Sequence, residues 1–224
     1  MNKTTLVLTS LICLLACGSL AQGNHNPERK KNSSAPTIGL SYGWSIGDGG
    51  LKNSLYTFHL LFAKQNGRYL EFETQYYRYS DNVDYHNADG MVIGVADVID
   101  WHIESRMKYV FPLIEWKRLV LHTSPYAALY YRQGEWVPRS PNAIPNTYEQ
   151  FGIGLGIELR TVYNITERLG LYTAISYQVL ELYNDKRHYM NPILPEDQQQ
   201  SSAITFDMFG NRLSWTLGAL YSFG

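Results

Sequence analysis

Apolar and small or polar residues alternate with a period of two along most of this chain, from Thr37 onward. In the first such segment Ile38, Leu40 and Tyr42 alternate with glycine and serine. A period of two is that of a β-strand, whose successive side chains point to opposite faces, rather than the 3.6-residue period of a helix. Eight segments share the pattern and predict eight strands. They run over 37–46, 56–62, 70–77, 99–111, 119–130, 151–160, 169–179 and 213–223.

The two faces of these strands differ in an unusual way. One face is apolar, and the other carries small or ionisable residues, including Gly152, Gly154 and Gly156 at period two. A water-soluble sheet turns its apolar face inward and covers the outside with charged residues. Glycine and serine make a poor solvent-facing surface, but they fit the narrow lumen of an eight-stranded barrel, which side chains fill. We therefore predict apolar faces outside and polar faces inside.

Short and long connections alternate between the predicted strands. The short ones are Lys64–Gly67, Pro112–Lys117 and Asn164–Glu167, and the long ones are Gly47–Asn53, Ser80–Met91, Gln133–Asn146 and Asn184–Phe206. Transmembrane barrels have this asymmetry, with short periplasmic turns and longer extracellular loops. The sequence thus predicts an all-β fold: a closed antiparallel up-and-down transmembrane β-barrel of eight strands. The segment 90–111 is too long for one crossing, so its strand is expected to project above the bilayer or to contain a bulge.

Aromatic residues cluster toward both ends of the predicted strands, as in the interfacial girdles of membrane barrels. The last strand closes with Tyr221-Ser222-Phe223-Gly224, which is similar to the aromatic C-terminal signature of outer-membrane barrels, displaced by one glycine. Over 37–223 the chain resembles the small eight-stranded OmpA/OmpX-like outer-membrane barrels, in pattern rather than in a specific motif. The resemblance implies a bacterial outer-membrane protein. We expect no peptidoglycan-binding domain after the barrel, so that part of the family's role is not expected here.

The N-terminus has the features of a secretory signal. Lys3 precedes an apolar run, and Ser19-Leu20-Ala21 offers small residues at the −3 and −1 positions. We predict a signal peptide over 1–21, a disordered periplasmic tail over 22–36 and the barrel over 37–224. The alternative is lipidation of Cys17, because the preceding Leu14-Leu15-Ala16 is similar to a lipobox.

Composition narrows the function classes. A formal net charge of −1 argues against a nucleic-acid partner. Charged residues make up 17% of the chain, below the roughly 25% of soluble domains, which suits a surface in contact with lipid. Both cysteines, Cys13 and Cys17, lie in the predicted signal, so the mature chain has no disulfide and no thiolate metal site. We predict no cofactor.

Ionisable residues of both signs share the predicted lumen face. A buried charge must be paired, or it costs several kcal/mol, so we predict a salt-bridge network that plugs the lumen and sets strand register. A proton- or ion-conducting network is the alternative. The predicted members are Glu71, Glu73, Asp100, His102, Glu104, Arg106, Lys108, Glu158 and Arg160.

Metal binding and lipid hydrolysis are two other chemistries that these strands suggest. Asp100, His102 and Glu104 share a face, but side chains two apart on a strand are about 7 Å apart, too far for chelation by neighbours alone, so no metal site is predicted. His122 and Ser124 have the spacing found in outer-membrane lipid A deacylases. They fall on the lumen face and near the periplasmic end, whereas a lipid-cleaving site must face lipid, so we predict that the chain is not an enzyme.

Function is therefore expected on the long loops, where Trp136 and Tyr189 are the candidate contact residues. The sequence predicts a non-enzymatic barrel in outer-membrane lipid that serves envelope integrity, adhesion or surface interaction. Its partner would be an extracellular or envelope protein. The alternatives are a lipid A-modifying hydrolase, a small barrel component of a secretion machine and a soluble lipocalin-like carrier.

Overall fold

Nine strands make up the computed structural model, which describes residues 36–47, 50–63, 68–86, 92–139, 145–190, 200–208 and 213–223. The predicted signal peptide and nearly all of the predicted tail lie outside these residues. No helix in this part of the chain is long and apolar enough to cross a membrane. The strands are β1 (Thr37–Gly47), β2 (Gly50–Ala63), β3 (Tyr69–His86), β4 (Val92–Trp116), β5 (Leu119–Pro138), β6 (Asn146–Asn164), β7 (Leu169–Tyr189), β8 (Gln200–Met208) and β9 (Leu213–Ser222).

The strands close into an antiparallel barrel with eight positions. β1 to β7 pair with their neighbours in chain order, and β9 pairs with both β7 and β1 to complete the ring. The closing register matches Thr37 with Ser222 and Leu169 with Tyr221, so the chain enters and leaves the barrel at the end that carries the short turns. The predicted closed eight-stranded fold is confirmed.

The eighth position is divided between β8 and β9, which lie end to end along β7. β9 pairs with Leu169 to Tyr177, and β8 pairs with Leu180 to His188. The prediction of a loop over all of Asn184–Phe206 is wrong, because β7 continues to Tyr189 and β8 begins at Gln200. Antiparallel hydrogen bonds to β7 pair one edge of β8 there, where the apolar alternation used for the prediction has ended.

Several other strands also extend further than the alternation predicted. β3 reaches His86 and β5 reaches Pro138, where loops from Ser80 and Gln133 were expected. β4 has 25 residues, and its register against β3 shifts between Val92 and Gly94, so the predicted projection and the predicted bulge are both present. A second shift, between Pro112 and Ile114, lies beyond the segment for which the bulge was predicted. The predicted turn Pro112–Lys117 is too long: β4 continues to Trp116, and the turn is Lys117–Arg118, with Lys117 at φ 52°.

The barrel is inside out relative to a water-soluble protein. Outward-facing Leu40 and Leu129 are 66% and 54% exposed, whereas inward-facing Glu71 and Lys108 are fully buried. On β7 the outward apolar side chains run from Leu169 to Leu182, and exposed Lys186 and His188 follow. A continuous apolar outer band on a closed barrel is the surface that a bilayer solvates, so the chain is an integral outer-membrane protein.

Candidate functional site

The centre of the lumen is occupied by ion pairs that cross from one wall to the other. Arg160 on β6 donates to both carboxylate oxygens of Glu71 on β3, at 2.7 and 2.8 Å. A second Arg160 contact reaches Glu158 Oε1 at 2.7 Å. Lys108 on β4 lies 2.5 Å from both Glu73 and Glu158. All five side chains are at least 97% buried, so the contacts join β3, β4 and β6 through the interior.

His59 on β2 belongs to the same cluster, although the sequence did not single it out. Its Nδ1 lies 2.7 Å from Glu71 Oε1 and 3.1 Å from Glu73 Oε2. Because a carboxylate oxygen accepts, this nitrogen is the donor. Nε2 faces Tyr172 Oη on β7 at 2.5 Å, on the opposite wall. His59 was missed because one histidine in a strand with only apolar and hydroxyl neighbours resembles an ordinary packed residue.

Arg106 forms the next layer toward the extracellular end. Its Nε donates to Glu104 Oε1 at 2.6 Å, and its Nη1 donates to Ser176 Oγ on β7 at 3.0 Å. The guanidinium also lies over the ring of Tyr126, 4.5 Å from the centroid. Glu73 is 3.4 Å from Nη1, which links this layer to the one below. The guanidinium of Arg106 therefore contacts carboxylates of β3 and β4, an aromatic ring of β5 and a hydroxyl of β7.

The upper layer contains Asp100 and His102, and tyrosine side chains contact both of them in addition to charged partners. Asp100 is bound by Arg132 and by Tyr148, whose hydroxyl donates to Oδ2 at 2.6 Å. His102 contacts Glu104 at 3.2 Å and stacks on Tyr77, with ring centroids 4.3 Å apart. Neither Arg132 nor Tyr148 was predicted. Both follow the inward alternation of their strands, and extending that alternation past the apolar segment would have found them.

Thus the structure brings eight of the nine predicted residues into one connected set, and it pairs the ninth, Asp100, with two partners that were not predicted. The connected residues are Glu71, Glu73, His102, Glu104, Arg106, Lys108, Glu158 and Arg160.

Inward-facing glycines on β6 make room for the large lumen side chains. A Cβ added at Gly152 would lie 2.5 Å from Tyr130 Cζ, and one at Gly154 would lie 2.3 Å from Gln178 Nε2. At Gly156 it would lie 2.2 Å from Tyr126 Cζ. All three distances are below any van der Waals contact. The run of glycines at period two is therefore a packing feature of the lumen wall.

The residues considered for lipid hydrolysis and for metal binding all face the lumen. Ser124 is fully buried, and its Oγ has no hydrogen-bond partner within the described chain, so it is not paired with His122 as a nucleophile would be with its base. Ligand atoms of His59, Glu71 and Glu73 lie within 4.8 Å of one another, a spacing that a metal ion could use. The same carboxylates already accept from Lys108 and Arg160, whose charges oppose a further cation.

The two candidate loop residues lie on strands rather than on loops. Trp136 is half-buried on β5, opposite Val98 of β4 and Asn146 of β6. Tyr189 is the last residue of β7 and is also opposite Asn146. The prediction of exposed loop positions is wrong because the strand ladder continues above the apolar band. Both residues lie in the part of β3 to β8 above the apolar band, which we call the extracellular wall.

On the outer face of this wall, Arg139 joins two neighbouring strands. It donates to both carboxylate oxygens of Asp97 on β4, at 2.7 and 3.2 Å, and to Asn82 Oδ1 on β3 at 2.6 Å. The hydrogen bond from Arg139 lowers the pKa of Asp97 below its ordinary value, and the positive charge of the guanidinium adds to the shift. This surface ion pair holds β3, β4 and the end of β5 together above the bilayer.

Solved structures of other proteins share the fold of this chain. No protein-family model matches the chain, and no curated protein matches it. Among solved structures, the chain is similar to a major outer membrane protein from Thermus thermophilus, with 12% identity and a TM-score of 0.58. That match covers 84% of this chain and 98% of the other. The chain has the fold of a small outer-membrane β-barrel.

Two further matches are more distant. The Yersinia pestis attachment invasion locus protein Ail has 12% identity and a TM-score of 0.45, over 84% of this chain and 97% of that one. OprG of Pseudomonas aeruginosa has 12% identity and a TM-score of 0.46, over 85% and 96%.

Proposed function

We propose that this protein is a non-enzymatic outer-membrane barrel with a lumen closed by its ion-pair network, and that its extracellular wall serves surface interaction. The observation that carries the proposal is the set of contacts across the lumen: Arg160 to Glu71, Lys108 to Glu158, and Arg106 to Ser176. Each joins strands on different sides of the barrel. Their side chains occupy the space through which an ion would have to pass.

Energetics favour a closed lumen over a conducting one. Breaking a buried ion pair by removing one partner costs about 3–5 kcal/mol, because the remaining charge is left uncompensated. An ion crossing the barrel would have to separate several such pairs at once. A rigid eight-stranded barrel also leaves no continuous aqueous channel beside its side chains.

Planar-bilayer recording tests this proposal. The mature barrel should leave the bilayer insulating. A triple variant Glu71→Ser, Lys108→Ser, Arg160→Ser, checked for folding by its heat-modifiable band in detergent, should show conductance because the side chains that fill the centre are gone. Steady conductance of the wild-type barrel would refute a closed lumen. An insulating but folded triple variant would show that these residues are not what closes it.

A separate experiment tests the absence of enzymatic activity. Lipid A from cells that express the wild-type chain should carry the same acyl chains as lipid A from cells without it. Loss of an acyl chain that depends on Ser124, shown with Ser124→Ala, would establish the hydrolase instead.

Surface interaction is supported by the wall that β3 to β8 form above the apolar band. Half-buried Trp136 and Tyr189 lie on that wall. Chemical cross-linking on intact cells, followed by detergent solubilisation, should yield an extracellular or envelope protein joined through residues of this wall. A stable co-purifying set of secretion proteins joined through the periplasmic turns would favour a component of a secretion machine.

A further inference from the structure

A small cavity lies inside the lumen, at the level of the Arg106 layer and just above it. Gln178 of β7 and Ser214 of β9 line one side, and Gln75 of β3 and Arg106 of β4 line the other. The centre of a water molecule has about 20 Å³ to occupy there. Roughly 10–15 Å³ of such space is enough for one water molecule. The cavity is therefore large enough to hold water.

Gln178 is the residue whose bonding points to a ligand in this cavity. Its side chain is only 2% exposed, and neither Oε1 nor Nε2 has a hydrogen-bond partner within the described chain. Because both amide atoms lack a partner, exchanging the oxygen and the nitrogen would not change this finding. A buried amide without partners is costly, and internal water is the usual partner for such a group.

Two features of the neighbouring strand β6 place the amide of Gln178 in the lumen. A Cβ added at Gly154 would lie 2.3 Å from Gln178 Nε2, so the amide occupies space that only a glycine leaves open. The register between β6 and β7 also shifts, because Gly156 pairs with Gln178 and Leu155 pairs with Leu180. The residue between them on β7 is a bulge, and a bulge changes the direction of the side chain next to it.

The charges that line the cavity favour a neutral ligand over an ion. Arg106 Nε donates to Glu104 Oε1 at 2.6 Å, and both side chains line the cavity. The cation and the carboxylate are thus already paired with each other. An added ion of either sign would meet one like charge and one opposite charge that is already engaged. A neutral molecule that both donates and accepts hydrogen bonds matches the amide of Gln178 and the hydroxyl of Ser214.

We infer that this cavity is a binding site for internal water, which bonds to the amide of Gln178 and bridges it to polar side chains on the opposite wall. The water joins β7 to β3 and β4 at a level above the direct ion pairs. It therefore forms part of the material that fills the lumen. The inference goes beyond the proposed function, because ion pairs alone could close the barrel.

NMR of the mature barrel in detergent micelles, with ¹⁵N-labelled glutamine side chains, tests for this water. The Gln178 amide is identified as the signal that Gln178→Met removes. Its protons should show a cross-peak to water with the sign of a long-lived complex. The amide of Gln133, which lies on the outer face of β5, should show no such cross-peak, because surface water exchanges quickly.

Oxygen-17 magnetic relaxation dispersion counts the long-lived water molecules in the same sample. Gln178→Met keeps the length of the side chain and removes both polar atoms, so the folded variant should lose at least one long-lived water. The matched control is Gln133→Met, which should leave the count unchanged. The heat-modifiable band in detergent shows whether each variant is folded.

Filling the cavity is a second test, which leaves Gln178 in place. Leu55 of β2 is 1% exposed and lines the cavity, so Leu55→Phe should displace the water and abolish the cross-peak of the Gln178 amide. Leu55→Phe should also lower the urea midpoint more in the wild-type chain than in a chain that carries Gln178→Met. Only the first chain is left with a buried amide that has lost its partner.

Three results would overturn the water site. They are a resolved Gln178 amide without a water cross-peak in the folded barrel, an unchanged water count in Gln178→Met, and equal effects of Leu55→Phe in the two chains. A Gln178 resonance that shifts with sodium chloride more than that of Gln133 would mean that the occupant is an ion. None of these results bears on conductance, and a conducting wild-type barrel would refute the closed lumen without removing the water cross-peak.

Discussion

Arg160 and Glu71 are 89 positions apart in the chain, yet they form a two-point ion pair across the lumen, with Nη1 to Oε2 at 2.8 Å and Nη2 to Oε1 at 2.7 Å. Two parallel N–H···O bonds need the planar fork of a guanidinium and specify the relative position of β6 and β3. The pair therefore contributes to the register of the closed barrel as well as to its stability.

Arg160→Lys should destabilise the barrel although it keeps the positive charge. An ammonium cannot reproduce the fork, and loss of one charge-assisted hydrogen bond costs about 1.5–3 kcal/mol. Urea unfolding from lipid vesicles, followed by tryptophan fluorescence, measures the free energy. The control is Arg168→Lys, the same substitution in an exposed periplasmic turn, which should leave the midpoint unchanged. Equal midpoints for both variants would mean that the bidentate geometry contributes nothing.

Gly152→Ala should be costly for a steric reason. The new Cβ would lie 2.5 Å from both Cζ and Oη of Tyr130, and the Tyr130 side chain is itself buried in the lumen. Overpacking of this kind costs about 1–3 kcal/mol. In the same unfolding measurement, Gly152→Ala should cost much less in a chain that already carries Tyr130→Ala, because the atoms that clash are gone. If the two effects simply add, the glycine serves some other purpose.

Sequence periodicity predicts the parts of the fold that the membrane itself imposes. The alternation of Leu40 with Gly39, or of Leu155 with Gly154, reports which face meets lipid, and the barrel follows from it. Above the bilayer both faces meet water, so the alternation ends while the strand continues. For that reason the pattern predicts loops, wrongly, for the β3 residues after Tyr79, the β5 residues after Gln133 and most of β8.

The members of the lumen network could be predicted because they lie on the inward face of their strands, but the partner of each member could not. Charges of both signs on inward positions must pair somewhere. Which carboxylate meets which cation depends on the stagger of the strands, which brings Arg160 to Glu71 rather than to its own cross-strand neighbour His122. His59 meets Glu71 between the neighbouring strands β2 and β3, and Arg132 meets Asp100 between β5 and β4. Each pair is diagonal rather than directly opposite, so it depends on the register of its hairpin, which the alternation alone does not give.

The Asp97–Arg139 pair predicts a local pH dependence above the bilayer. Arg139 lowers the pKa of Asp97 in the folded state, so the contact contributes stability above the pKa of the unfolded chain. That contribution is lost as pH falls through the lowered pKa. Carbon NMR of the Asp97 carboxyl should give a titration midpoint below its ordinary value, and Arg139→Gln should raise that midpoint. A midpoint that does not respond to the substitution would show that the pair is not formed in solution.

Ile175 tests the orientation of the whole barrel. It is 52% exposed and lies midway along the outward apolar run of β7, between Leu169 and Leu182. Ile175→Arg would place a charge near the bilayer midplane, which costs about 2–4 kcal/mol. The matched control is Ile165→Arg in the turn before β7, at the periplasmic surface, where the cost falls to about 0–1 kcal/mol. The fraction of each variant that folds into lipid vesicles is read from the heat-shifted band, and the reverse order of the two variants would contradict an outward-facing Ile175. A soluble carrier with an apolar interior would instead bury Ile175 in its core, and it would fold without lipid or detergent.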